Sequence, residues 1–332
     1  MTNVTRLAAL VVLGLFFVAG VPTWARSPRG TRVREDLSPP RAPGHQSNRP
    51  GRPDDGNRLR AGVEGLSAAS VVLMDFESGE VLFAKNARER RAPASTTKIM
   101  TALLVLEEGR LDDSVVVMDR SGALGGARLG LKRGQRISLE DLVLAMLLRS
   151  ANDAATAAAA HVAETEERFV ARMNDRAISL GMEGTHFTNP HGLDDPDHYS
   201  TAHDLALLAR YALRQPTFAR IVQMKEAWLS IQRGPKGRFV KRTLLRTHNR
   251  LLGHFDGANG VKTGYTGGAG RCLVASASRG GRQLVAVLLN DDDRWTDAAA
   301  LLEYGFAALN GHAPSFRAFD GSSGDVQRGE GG

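Results

Sequence analysis

Strand-forming runs stand at both ends of the foldable part of this chain, with a long helical pattern between them, and that order constrains the architecture. Residues 69–76 (ASVVLMDF) and 80–84 (EVLFA) are β-rich and separated by Glu77-Ser78-Gly79, a hairpin signal. Strand-like runs return only at residues 260–262, 271–278 and 283–290. From residue 95 to about residue 223 the pattern is mostly helical, with apolar spacings of three and four over 99–106, 139–148, 154–162, 169–180 and 203–213; a last helical run covers 296–309. Strands so far apart in sequence share a sheet only if the middle of the chain is an inserted helical subdomain. The fold class is therefore mixed α/β (α+β).

Composition marks the borders of this folded part. Residues 1–25 carry Arg6, an apolar core over 7–21, the breaker Pro22 and small residues at Thr23 and Ala25, the pattern of a secretory leader. About 15 apolar residues are fewer than the ~20 of a spanning helix, so cleavage is expected, with an uncleaved anchor as the alternative. Residues 26–60, with six prolines and no aromatic side chain, read as a disordered Pro/Arg-rich tether. Residues 311–332 end in GSSGDVQRGEGG and read as a disordered tail, which leaves 61–310 as the folded unit.

A formal charge of +7 and a pI near 9.9 suggest a nucleic-acid partner until the charge is located. The tether holds nine Arg against four acids, whereas residues 61–332 hold 33 basic and 32 acidic side chains. Basicity thus belongs mainly to the tether, read either as a soluble spacer or as a weak attraction to anionic envelope polymers or head groups. No nucleic-acid partner is expected. Cys272 is the single cysteine, so there is no intrachain disulfide and no lipid-bearing cysteine near Ala25. The expected location is the periplasm or cell envelope, and not as a lipoprotein.

Three short motifs carry the chemistry. In Ser95-Thr96-Thr97-Lys98 the serine precedes an apolar-periodic run and so sits near a helix N-terminus, where backbone N–H groups and the dipole favour an oxyanion. Lys98 follows one turn later on the same face; buried beside another cation, it loses pKa and becomes a base for the serine proton. Ser150-Ala151-Asn152 lies between helical patterns and offers a proton-relaying hydroxyl and an amide that both donates and accepts; the plainer reading is an Asn/Ser cap for a helix beginning near Asp153. Lys262-Thr263-Gly264 ends a strand-like run with a cation, a hydroxyl and a glycine that lets a substrate backbone approach. The N–H of Tyr265 is a candidate second oxyanion donor beside that of Ser95. Ser-x-x-Lys alone is common on surface helices; the three together are specific.

Neighbouring blocks extend the pattern: RAPASTTKIMTA at 91–102, GLKRG at 130–134, SANDA at 150–154, NPHGL at 189–193, STAHDLA at 200–206 and GVKTGYT at 260–266. With them the chain, from about residue 68 to 306, resembles the low-molecular-mass penicillin-binding serine D,D-peptidases, the D-alanyl-D-alanine carboxypeptidase family. The resemblance implies the penicillin-binding/β-lactamase-like transpeptidase fold, an antiparallel sheet flanked by helices with an inserted all-helical subdomain. It implies Ser95 as acyl-enzyme nucleophile, Lys98 as its base, Ser150 as proton shuttle and Asn152 as ligand of the substrate amide. Lys262 and Thr263 would hold the terminal carboxylate of a D-Ala-D-Ala stem peptide or of an inhibiting β-lactam, with Gly264 and Tyr265 lining the pocket. No cofactor is implied. Cleavage of cross-links by a D,D-endopeptidase is the alternative; a β-lactamase and a non-catalytic penicillin-binding module are further ones. No Glu-x-x-Leu-Asn follows Ser150 to activate a deacylating water.

Three departures stand out. Ala151 replaces a frequent Gly, Tyr265 a frequent His, and His248-Asn249-Arg250-Leu251-Leu252 lacks the Arg that some relatives place before Asn. His248, Arg250 or Arg271 is a candidate substitute. The run His186, His191, Asp194, Asp195, Asp197, His198, His203 and Asp204 resembles a metal site but lacks ligand spacing on a helix, and no metal is expected. Cys272 reads as a packed small hydrophobe, and Trp228, Trp295 and Phe306 as core or groove residues.

Overall fold

The computed structural model describes residues 63–118, 125–234 and 238–311, all within the compact unit Pro50–Gly332. The expected leader, the tether and, beyond Gly311, the tail lie outside the described residues. The chain runs through β1 (Ser70–Asp75), β2 (Val81–Lys85), a 3₁₀ turn (Ala94–Thr97), α1 (Lys98–Glu108), β3 (Ser114–Val116) and β4 (Arg136–Ser138). Helices α2 (Leu139–Leu148), α3 (Asn152–Ala163), α4 (Glu166–Ser179), α5 (Ala202–Ala212) and α6 (Pro216–Val222) follow. It returns through β5 (Glu226–Arg233), β6 (Phe239–Arg246), β7 (Ala258–Thr266), β8 (Gly270–Arg279) and β9 (Arg282–Leu289), then ends in α7 (Arg294–Leu309).

Both ends of the folded part meet in one antiparallel sheet of order β2-β1-β9-β8-β7. Successive side chains of its central strands enter two different cores. Val72 and Met74 of β1, Val274 of β8 and Val285 and Val287 of β9 face the helical insert. Val71, Leu73, Leu273, Leu284 and Leu288 face α7 and residues 63–68. Burial on both faces explains why these strands read as continuous apolar runs, each such side chain contributing about 1.5–3 kcal/mol.

Helix α1 runs through the middle of the first core, with every residue from Lys98 to Val105 buried. The alanines of α3 (154, 155, 157, 158 and 159) leave room for close packing against its neighbours. The antiparallel sheet flanked by helices is therefore as the sequence implies. The insert, however, is not all-helical: a second, four-stranded sheet of order β3-β4-β5-β6 accompanies its helices. Strands β3 and β4 have three residues each, too few to display a period of two. Strands β5 and β6 interleave Arg, Lys and Gln with their apolar residues, which masks the alternation. Trp228 of β5 is 57% exposed, so it is neither core nor groove, while Phe306 is buried in the second core.

Candidate active site

The turn that carries Ser95 is held from three sides. Ala94 has φ +49°, an uncommon conformation for a side-chain-bearing residue, and the backbone enters α1 directly from it. Thr97 Oγ1 donates to Ala94 O at 2.9 Å. His198, 2% exposed, accepts the Thr188 N–H on Nδ1 at 3.0 Å, which leaves Nε2 as the donor to Thr97 Oγ1 at 2.8 Å. Burial above all holds His198 down to about 4, so this tautomer persists at neutral pH. The third support is Gly192 in the NPHGL loop, at φ +81°, where a Cβ would lie 1.9 Å from Ala94 O. Gly192→Ala is expected to cost about 3 kcal/mol, from the clash and the positive φ together. Urea unfolding checks this, and an unchanged midpoint would remove the loop from the turn's supports.

Lys98 has no solvent exposure, and its Nζ lies 2.9 Å from Ser95 Oγ, 2.7 Å from Asn152 Oδ1 and 2.5 Å from His191 O. Burial and the charge of Lys262 press its pKa well below the ordinary lysine value, against a smaller opposing pull from Asp153. A neutral amine has two N–H donors and one lone pair. Asn152 and His191 take the donors, so the lone pair faces the Ser95 hydroxyl. Asn152 also donates from Nδ2 to Gly125 O at 2.7 Å, leaving one N–H and one lone pair for a substrate amide. The capping reading is not met. Ala151 is the N-cap of α3, without a side-chain bond, and Ser150 stands at φ +60°.

Lys262 lies in β7, 1% exposed, and donates to Ser150 Oγ at 3.1 Å and Thr263 O at 2.8 Å. Burial, then Arg294, lowers its pKa to about 7. Gly264 has a structural use beside the one its motif suggested. A Cβ there would meet Ala94 Cβ at 3.0 Å, Cys272 Cβ at 3.2 Å and Pro93 O at 3.2 Å, so the glycine lets β7 lie against the nucleophile's own turn. Tyr265, 66% exposed, stands at the rim.

Ser95, Ser150, Asn152, Thr263, Gly264 and Tyr265 line one cleft of about 760 Å³, with Lys98 and Lys262 buried directly behind Ser95 and Ser150. All eight residues expected to act together, seven from the three motifs and Tyr265 directly after the third, are thus gathered at one place. His248, Arg250 and Arg271, the candidates for the missing arginine, line the same cleft. Burial and the nearby Lys262, Arg149 and Arg294 lower His248 to about 4, so it is neutral at pH 7 and supplies no cation. Arg271 lies 3.3 Å from Asp292. Trp295 also lines the cleft, as a groove residue. Cys272 is buried, its thiol pushed up to about 11, consistent with a packed hydrophobe.

Four contributors carried no motif. Arg294, at the start of α7, donates to Gly264 O at 2.7 Å and Cys272 O at 3.2 Å, fastening β7 beside the cleft. The Asp153 carboxylate accepts the N–H groups of Leu129, Gly130 and Leu131 and so fixes the cleft wall preceding them. Asp194 accepts from Thr266 Oγ1 at 2.5 Å and Gly268 N at 3.0 Å, pinning the β7–β8 turn. His198 is the fourth. Arg294 and Asp153 act through backbone partners distant in sequence, Asp194 and His198 through one backbone N–H and one side-chain hydroxyl each, and only the position of Asp153 and Asp194 directly after SAN and NPHGL hinted at a use.

Comparison with known proteins agrees with this geometry. A family model described as D-alanyl-D-alanine carboxypeptidase matches residues 58–293. The D-alanyl-D-alanine carboxypeptidase DacF of Bacillus subtilis is 34% identical over 253 residues, 74% of this chain and 64% of DacF. DacB2 of Mycobacterium tuberculosis is 35% identical over 248 residues, 72% of this chain and 82% of DacB2. The crystal structure of a Streptomyces DD-transpeptidase superposes with a TM-score of 0.69 at 31% identity, covering 73% of this chain and 98% of that one. The chain thus spans less than two thirds of the length of DacF and nearly all of the transpeptidase.

Proposed function

Because the chain belongs to the D-alanyl-D-alanine carboxypeptidase family, we propose that it removes the terminal D-alanine from peptidoglycan stem peptides through an ester on Ser95. The observation that carries this reading is the buried Lys98 amine 2.9 Å from Ser95 Oγ, its other two hydrogen-bonding directions already occupied. Lys98 takes the hydroxyl proton as Ser95 Oγ attacks the carbonyl of the penultimate D-alanine. Backbone N–H groups of Ser95 and Tyr265 receive the oxyanion. The proton passes through Ser150, which Lys262 polarises, to the amine of the departing D-alanine; water then hydrolyses the ester and Ser95 regains its proton. Asn152 holds the substrate amide, while Lys262 and Thr263 hold its carboxylate. A β-lactam would acylate the same oxygen and leave slowly.

The leader pattern of residues 1–25 supports export, with action in the periplasm or envelope, and the arginines of 26–60 support a weak envelope association. Incubating the protein with a diacyl-Lys-D-Ala-D-Ala peptide tests the reaction, D-alanine release being the expected result. A cross-linked muropeptide run in parallel distinguishes the endopeptidase, which would cleave it in preference to the linear peptide.

The two lysines also set a pH profile. Lys98 acts as a free base and Lys262 as a cation, so kcat/KM falls toward acid as Lys98 gains a proton and toward alkali as Lys262 loses one. With Lys262 lowered to about 7, the alkaline limb is expected below the 10.5 of an ordinary lysine. Lys262→Arg stays charged throughout and is expected to remove that limb; the same limb in the variant would assign it to another group. Between about 7 and 10.5 the unfolded chain binds the Lys262 proton and the folded one does not, so this residue makes stability rise with pH there.

A further inference from the structure

The described residues expose seven large hydrophobic side chains, and five of them, Val116, Met118, Trp228, Phe239 and Val240, belong to or adjoin the second sheet. Its register explains the clustering. Val116 pairs with Arg136, Arg136 with Gln232 and Gln232 with Val240, a row across all four strands. The alternate residues Val115, Ile137, Ile231 and Leu245 are buried in the core, so this row lies on the outer face. Trp228 and Arg242 share that face, with the guanidinium 5.2 Å over the indole ring. Strand β6 is the edge of the sheet.

Charge is concentrated at the same place. The outer face carries Arg136, Arg242 and Arg246 against the single Glu226, within a segment, 61–332, whose 33 basic and 32 acidic side chains nearly cancel. A basic surface alone fits any polyanion. Exposed Val116, Trp228 and Val240 on the same face add apolar area that a hydrated polyanion would not cover but a lipid interface would. We propose that the outer face of the second sheet docks the folded domain on an anionic lipid surface, cations against head groups and the three apolar side chains in the interface below. Strand β6 continues directly into Thr247 and His248 of the cleft wall, so docking would hold the cleft at the membrane.

The test uses the full chain and isolates this surface from residues 1–60 by reading Trp228 alone, as the emission difference between the parent and Trp228→Phe. Vesicles of equal phosphatidylglycerol and phosphatidylcholine with brominated acyl chains are expected to quench that difference, and vesicles of phosphatidylcholine alone to leave it largely intact. Arg136→Gln/Arg246→Gln and Val116→Ser/Val240→Ser are each expected to require roughly tenfold more lipid for the same quenching, with penicillin acylation unchanged as the control for folding. Trp228 emission that brominated anionic vesicles do not quench overturns the proposal. Loss in the charge variant with none in the apolar variant also overturns it, since that pattern belongs to a polyanion.

Discussion

Ser95→Ala is expected to abolish release of D-alanine, by about 10³-fold or more, while the protein stays folded. The fold should survive because the buried Lys98 amine keeps Asn152 Oδ1 and His191 O as partners when the hydroxyl is gone, so no polar group is stranded. Peptide should still bind, since the cations of the cleft, Lys262 behind it and Arg250, Arg271 and Arg294 on its walls, are untouched. Steady-state release assays beside a binding measurement with the uncleaved peptide separate the two effects. Activity in Ser95→Ala within tenfold of the parent would remove the serine from the chemistry.

Lys98→Met carries the second largest effect, a loss of about 10²–10⁴-fold in the rate at which penicillin acylates Ser95. Methionine fills nearly the same volume without a lone pair, so the hydroxyl loses its base. Asn152 Oδ1 and His191 O then lose a donor, at about 1–3 kcal/mol each, partly offset because a buried amine has been removed. Lys98→Arg should be no rescue, because a guanidinium does not give up its proton. Stopped-flow acylation gives the rates, and urea unfolding establishes that the variants are folded. A Lys98→Met enzyme acylated at the parent's rate would mean that another group takes the proton.

The strands of the first sheet and the helices of the insert were legible because burial forces apolar periodicity onto them, in β1, β8 and β9 on both faces. The second sheet was not, because its outer face holds Trp228, Gln232, Val240 and Arg242 in no regular alternation. The site was legible where chemistry fixes residue types at short spacing, as in Ser95 and Lys98 within one helical turn. Arg294 was hidden because its partners, Gly264 O and Cys272 O, are backbone atoms 30 and 22 residues away. His198 was hidden within a run that resembles a metal site, yet its ring bonds Thr97 and Thr188. Gly264 was read as admitting a substrate backbone, whereas the group seen close to it is the protein's own turn.

The central claim is that Ser95 Oγ forms a covalent bond to the acyl group of its substrate and inhibitor. Intact-mass and peptide-mapping spectrometry of the full chain after brief exposure to benzylpenicillin tests it most directly. The expected result is a single adduct of the whole penicillin mass on the peptide containing Ser95, absent in Ser95→Ala. An adduct on another residue, or undiminished labelling of Ser95→Ala, would contradict the account.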